Sequence, residues 1–279
     1  MLKTMIVENI KNIKQTILIS KTDLVKFYKG AALGYSWAVI RPMVTILVYL
    51  FAFTFIRTSS MVDGFPFFVW LIAGLTPWFF VNDGIVAGAM SIRQYRHFVT
   101  KMKFPISTIP TFVLLSKMYI QIMLIAAVII LFSCLGYFPD IYYLQLIYYI
   151  PTMYIFFLVL SWTLSSLSVI SRDFENLVKA AIQAVLWLTP ILWNINNVSS
   201  PTLKFILKLN PVNYFIQGYR DTFLYKHWFF ESKYTIYIWI VIFIVAFIGS
   251  HIYKKLHKDC LSLAGTKDTP RQFRPTQLD

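Results

Sequence analysis

Acidic side chains are few in this chain: 12 Asp and Glu stand against 26 Lys and Arg, and charged residues of either sign make up only 14% of it. Soluble domains carry about 25% charged and about 45–50% apolar residues, whereas 58% of these 279 residues are hydrophobic. So little charge excludes an ordinary soluble domain. Windows of about 20 residues almost free of charge recur, each long enough to cross a ~30 Å hydrocarbon layer as a helix. Strictly alternating ten-residue segments are missing, which argues against a membrane β-barrel. The expected fold class is therefore an all-α polytopic membrane protein.

Cysteine is almost absent. Cys134 lies in an apolar run and Cys260 in the C-terminal tail, so neither a disulfide framework nor a thiolate metal site is implied. The four histidines show no H-E-x-x-H spacing, and no G-x-S-x-G elbow is present for a serine nucleophile. No GxxxxGK[ST] loop occurs to cradle a nucleotide phosphate. No cofactor or metal is expected in this chain, and any ATP hydrolysis is expected in a separate subunit. Lys3, Lys11 and Lys14 are not followed by a short apolar core and a small-residue cleavage site, so no removable leader is expected.

What is present is organised along the chain. Ile6, Ile10, Ile13 and Ile17 recur at helical spacing, with Lys11, Lys14 and Gln15 on the other side, which reads residues 1–30 as an amphipathic interfacial segment. Six spans follow at about 35–57, 66–91, 106–135, 144–170, 175–194 and 234–256, inside a transmembrane domain of residues 31–258, with a tail over 259–279. Net charge is +14, which in a soluble chain would raise nucleic acid as a partner; here placement matters more. With both termini inside, nineteen of the 26 cations fall on internal segments, so the positive-inside rule puts both termini in the cytoplasm.

Charges inside spans are functional candidates, because leaving one in lipid costs at least about 2.5–3.5 kcal/mol. Asp83 and Lys117 lie in neighbouring expected spans and could neutralise each other, either to fix packing or to serve a gate. The internal loop of residues 93–107 mixes four cations with Tyr95, Phe98, Met102 and Phe104, a pattern that suits a short surface helix docking on a soluble partner; an ordinary positive loop is the alternative. Aromatic residues crowd the external half, as a lipid-interface belt or as faces for sugar rings.

The stretch KLNPVNYFIQGYRDTF, residues 208–223, breaks the pattern. Asn210 and Pro211 supply a helix start, but about thirteen residues at 1.5 Å each fall short of the bilayer. Val212, Phe215, Tyr219 and Phe223 make an apolar face, opposite Asn213, Gln217, Arg220 and Asp221. With LKFILK upstream it reads as a re-entrant pair at about 199–224, permitted at membrane depth where protein covers it or water lines it. Tyr214, Phe215, Tyr219, Arg220 and Asp221 are its candidate gate residues.

Four stretches in register, DLVKFYKGAALGYSWAVIRPM, KMKFPISTIP, SVISRDFENLVKAAIQAVLWLTPILW and LNPVNYFIQGYRDTFLYKHW, resemble the membrane permeases of ATP-binding-cassette exporters for polysaccharides and polyol phosphates, most of all the wall teichoic acid translocation permeases. The resemblance covers about residues 20–256. It implies a multi-pass protein of the bacterial plasma membrane, working as a homodimer with two copies of a nucleotide-binding subunit that holds ATP and Mg. It also implies a lipid-linked polymer on an undecaprenyl-type carrier as cargo, with O-antigen or capsular glycan as the alternative to teichoic acid. On matching positions, the segment ending at Met102, Lys103 and Phe104 would be the coupling helix. Lys204, Lys208 and Arg220 would meet polymer phosphates near the exit. A membrane-embedded glycosyl or acyl transferase is a weaker alternative, since no catalytic constellation is evident.

Overall fold

The computed structural model describes residues 2–30, 32–56, 61–97 and 104–263, and the molecule is almost entirely helical. Among the described residues five helical segments are long and apolar enough to cross a membrane: Gly34–Phe53, Phe67–Gln94, Ile106–Cys134, Ile141–Ile170 and Tyr234–Lys255. The α-helices in chain order are α1 (Leu2–Lys11), α2 (Ile13–Tyr28), α3 (Trp37–Ile56), α4 (Phe67–Gln94), α5 (Ile109–Cys134), α6 (Leu146–Ile170), α7 (Arg172–Leu188), α8 (Pro201–Lys208), α9 (Pro211–Arg220) and α10 (Tyr234–Leu263).

Helix α4 is the axis of the molecule. It packs on α5, α6, α7 and α9, while α6 is wedged between α4 and α10. Close approach comes from small residues: Gly88 of α4 faces Ser161 of α6, and a Cβ on Gly88 would sit 2.0 Å from the serine oxygen. The buried Ser166 and Ser168 hydroxyls turn back to Trp162 O and Leu164 O at 2.8 and 2.9 Å, so they add no unmet polar groups to that seam. By contrast α3 and α10 sit at the periphery, with Phe51, Phe243 and Phe247 about 70% exposed, as suits surfaces covered by lipid or another chain.

The fifth expected span differs. Helix α7 has 17 residues, about 25 Å at 1.5 Å per residue, and buries only Val178, Ile182 and Leu186. Its first two turns carry Arg172, Asp173, Glu175 and Lys179, capped by Ser171 Oγ accepting from Asp173 N at 3.1 Å. Pro190 cannot extend the helix, and residues 189–192 run on as buried irregular chain. Charge at one end and proline at the other shorten what the apolar pattern presents as a full span.

One end of the bundle is closed by a β-hairpin that hydropathy does not foretell. Strands β1 (Met61–Val62) and β2 (Phe65–Pro66) pair Met61 with Pro66 and Val62 with Phe65. Asp63 and Gly64 form the two-residue turn with φ of 47° and 85°, the left-handed pair that tight hairpins favour in Asp-Gly. At the same end lie α8 and α9, each begun by a side-chain cap and a proline. Ser200 Oγ accepts from Leu203 N at 3.4 Å, and Asn210 Oδ1 accepts from Val212 N at 3.0 Å. A turn of π-helix, Asp221–Tyr225, continues α9 and ends at Lys226 in the left-handed region.

Candidate gate and coupling sites

The short helix α9 is covered by protein nearly all round, with Phe215, Ile216 and Tyr219 fully buried. Its polar residues Asn213, Gln217, Arg220 and Asp221 line one cavity of about 460 Å³, together with Asp63, Trp70, Tyr149, Tyr214, Lys208 and Asn194. Arg220 is only 3% exposed. Its Nη1 donates to Pro190 O and its Nη2 to Ile191 O, both at 2.8 Å, and the guanidinium lies 3.5 Å over the Trp70 ring. This bidentate grip satisfies the chain that leaves α7, and the cation–π contact ties it to α4. Gly74 leaves the room: a Cβ there would fall 2.6 Å from Arg220 Nη2.

The hairpin joins the same network. Asn194 Nδ2 donates to both Asp63 carboxylate oxygens at 2.9 Å, Tyr225 OH donates to Asp63 Oδ2 at 2.9 Å, and Trp70 Nε1 donates to Tyr225 OH at 2.8 Å. Thus Asp63 is fixed by the chain after α7 and by the π-turn at once. Beside it, Gln217 Nε2 donates to Asp221 Oδ1 at 2.9 Å. Burial pushes the Asp221 carboxyl up to about 6, opposed by the Gln217 bond and the nearby His227 and Arg220 charges. Lys208 is exposed at the cavity edge, and Lys204 Nζ donates to Asn196 O at 3.2 Å.

Aromatic residues gather at this end largely as packing. Tyr148 stacks on Phe229 with centroids 4.0 Å apart, and Phe223 meets Phe132 and Tyr143 edge-on. The buried Gln145 holds the loop that follows the π-turn, donating to His227 O at 2.8 Å and accepting from Phe229 N at 2.7 Å. Lys226 pairs with Asp140 at 2.8 Å.

At the opposite end α1 and α2 turn a polar edge inward. Thr16 and Ser20 are fully buried and Asp23 nearly so, whereas Ile6, Ile10, Ile13 and Ile17 point outward. Tyr95 OH donates to one Asp23 oxygen and Ser116 Oγ to the other at 2.7 Å. Burial first, then this hydrogen bond, holds the Tyr95 hydroxyl well above the ordinary phenol range, so it acts as donor. Glu8 accepts from Ser107, and Asn9 accepts from Thr111. Trp162 Nε1 adds a bond to Ser107 O at 3.0 Å. Arg93, at the end of α4, donates to Ser168 O at 2.9 Å and pairs with Glu175 at 3.3 Å.

The ABC-2 type transporter family profile matches residues 14–224, most of the chain. The chain belongs to the ABC-2 type transporter family. An O-antigen export system permease protein RfbA of Myxococcus xanthus is 26% identical over 212 residues, 76% of this chain and 80% of that protein. A protein of the same name from Klebsiella pneumoniae is 26% identical over 244 residues, 86% of this chain and 91% of its own.

For an ABC-2 transporter the placement of the expected site residues is informative. Tyr95 and Phe104 are buried, both against Phe112; they anchor the ends of the 93–107 segment within the chain instead of offering a docking surface. Phe98, Met102 and Lys103 lie outside the described residues. Asp83 and Lys117 line one cavity of about 200 Å³ with Arg41 and Gln121, and the Asp83 carboxylate accepts from Asn82 Nδ2 at 3.0 Å. Of the gate residues, Tyr214, Arg220 and Asp221 reach the cavity, while Phe215 and Tyr219 are buried in packing. Arg220, expected to meet phosphate, has its two terminal nitrogens committed to backbone carbonyls. Sequence reasoning missed Asp63, Asn194 and Tyr225, whose link spans the hairpin and the π-turn. It also missed Asp23 and Ser116, for which the only local signal is the helical spacing of Thr16, Ser20 and Asp23.

Proposed function

We propose that this chain is the membrane subunit of an ATP-driven exporter that carries a polysaccharide of the O-antigen class, on a lipid carrier of undecaprenyl type, to the outer face of a bacterial plasma membrane. The observation that carries the reading is likeness to O-antigen export permeases over most of both lengths. The arrangement of polar groups supports it. The hairpin end, with its cavity of amide, carboxylate and tyrosine groups, is the external side, and the α1–α2 end is the cytoplasmic side. Two copies enclose the conduit, α7 with residues 189–193 supplies the sixth crossing, and both termini are cytoplasmic. Two copies of a separate ATPase act on residues 93–104; their closure is passed through Tyr95 and Asp23 to α4, α5 and α2. The decisive experiment is reconstitution in proteoliposomes with a cassette ATPase and lipid-linked glycan. ATP hydrolysis and glycan protection from added glycosidase should each require both proteins. A purified chain that alone turns over a sugar donor would overturn the reading in favour of a transferase.

An anionic polymer of the teichoic kind is the second reading, favoured by Lys208 at the cavity edge and Lys204 beside it. The commitment of Arg220 to Pro190 O and Ile191 O weakens it, because the best phosphate fork is spent. Changing Lys204 and Lys208 together to Gln separates the two: a neutral glycan should leave at an unchanged rate, and an anionic polymer should slow severalfold.

A further inference from the structure

Asn213 is 9% exposed, lines the cavity of about 460 Å³, and makes no side-chain hydrogen bond among the described residues, although its backbone N–H is used by Asn210 O. Its amide atoms are not sealed in the packing, so they are open to hydrogen bonding with whatever occupies the cavity. It stands on the same face of α9 as Gln217 and Asp221. Gln217 spends its Nε2 on one Asp221 oxygen, which leaves the Gln217 carbonyl and the second carboxylate oxygen facing the same space. Tyr149, Tyr214 and Tyr234 also line it. The cavity size lies within the range of about 300–1,000 Å³ typical of small-molecule sites.

Taken on the polysaccharide reading above, on which it rests, this chemistry selects among ligands. The lining ionisable groups are two carboxylates, Asp63 and Asp221, against Lys208, the imidazole of His227 and a guanidinium already bound to carbonyls, so with the imidazole neutral no positive excess awaits a phosphate chain. Amide, carboxylate and tyrosine groups gathered on one cavity fit the vicinal hydroxyls of a sugar. We propose that the cavity is a saccharide-binding subsite, built within a single chain, that holds neutral sugar units of the polymer through Asn213, Gln217 and Asp221. Each protomer then grips glycan at the hairpin end independently of its partner.

The test is light-driven crosslinking in cells that make the polymer, with benzoylphenylalanine in place of Ser232 at the cavity wall, or in place of Phe243 on the outer side of α10 as control. The Ser232 position should yield a sugar-bearing adduct and the Phe243 position none. Asn213→Leu and Asn213→Ala, each checked for normal membrane level, should cut the Ser232 adduct about tenfold, the loss expected for one buried hydrogen-bonding partner. Surface polymer is measured in the same cells. If it depends on the chain yet the Ser232 adduct carries no sugar, or carries phosphate alone, or is unchanged by both Asn213 variants, the subsite falls and the exporter stands. If surface polymer does not depend on the chain, both fall.

Discussion

Single side chains at the hairpin end carry more than one duty. Arg220 is a clamp whose planar fork and ring contact no lysine reproduces. Arg220→Lys should destabilise the purified protein by about 2–4 kcal/mol, because it leaves buried carbonyls unmet. Gly74→Ala should cost about 1–3 kcal/mol by forcing the guanidinium aside. The two losses should be less than additive in a double variant, as melting curves would show; strict additivity would mean that the pair is not coupled. Asp221 gives a pH signature. Its carboxyl is raised from 3.8 to about 6, so the folded state holds the proton more tightly, and the stability it contributes is full below the unfolded value and lost as pH rises through about 6. The melting midpoint of the wild-type protein should therefore drop between about pH 4 and 6 more steeply than that of Asp221→Asn. Parallel curves would place the carboxyl in ordinary solvent.

Elements show where sequence reading succeeds and where it stops. The starts of α8 and α9 are legible, because Ser200-Pro201 and Asn210-Pro211 are local signals, and so is the polar face that gathers Asn213, Gln217, Arg220 and Asp221 on one cavity. What covers that face is not local: Pro190 and Ile191 lie about thirty residues away. Helix α7 is shorter than its apolar pattern suggests, because its start is charged and Pro190 follows its end. The inner edge of α2 is hidden for a related reason: Asp23 looks like one more surface charge until Tyr95 and Ser116 arrive from other helices. That contact predicts a functional split. Tyr95→Phe should leave the amount of protein in the membrane unchanged while raising ATP hydrolysed per glycan exported severalfold in the reconstituted system. An unchanged ratio would show that the stroke bypasses α2.

At the scale of the whole molecule, the uneven burial of the spans is the main fact. Phe67–Gln94 is largely buried, whereas Gly34–Phe53 and Tyr234–Lys255 are mostly uncovered. On the proposed homodimer, a chain of 32.6 kDa with a largely buried α4 and a short polar-edged α7 on its flank supplies half of the conduit. Native mass spectrometry from nanodiscs should show twice the chain mass. A population entirely monomeric in the presence of the ATPase would count decisively against a shared conduit.

The polar edge of α1 and α2 also constrains how the protein is made. Glu8, Asn9, Ser20 and Asp23 find long-range partners 72 to 102 positions later in the chain. During synthesis these side chains are out first and must wait, hydrated at the membrane surface, until α5 has been threaded. The greasy outer stripe of isoleucines suits that wait, parking the segment on the lipid without committing it. Insertion of α5 is then the event that recruits the N-terminus, so a defect in threading α5 should surface as an N-terminus left open to protease.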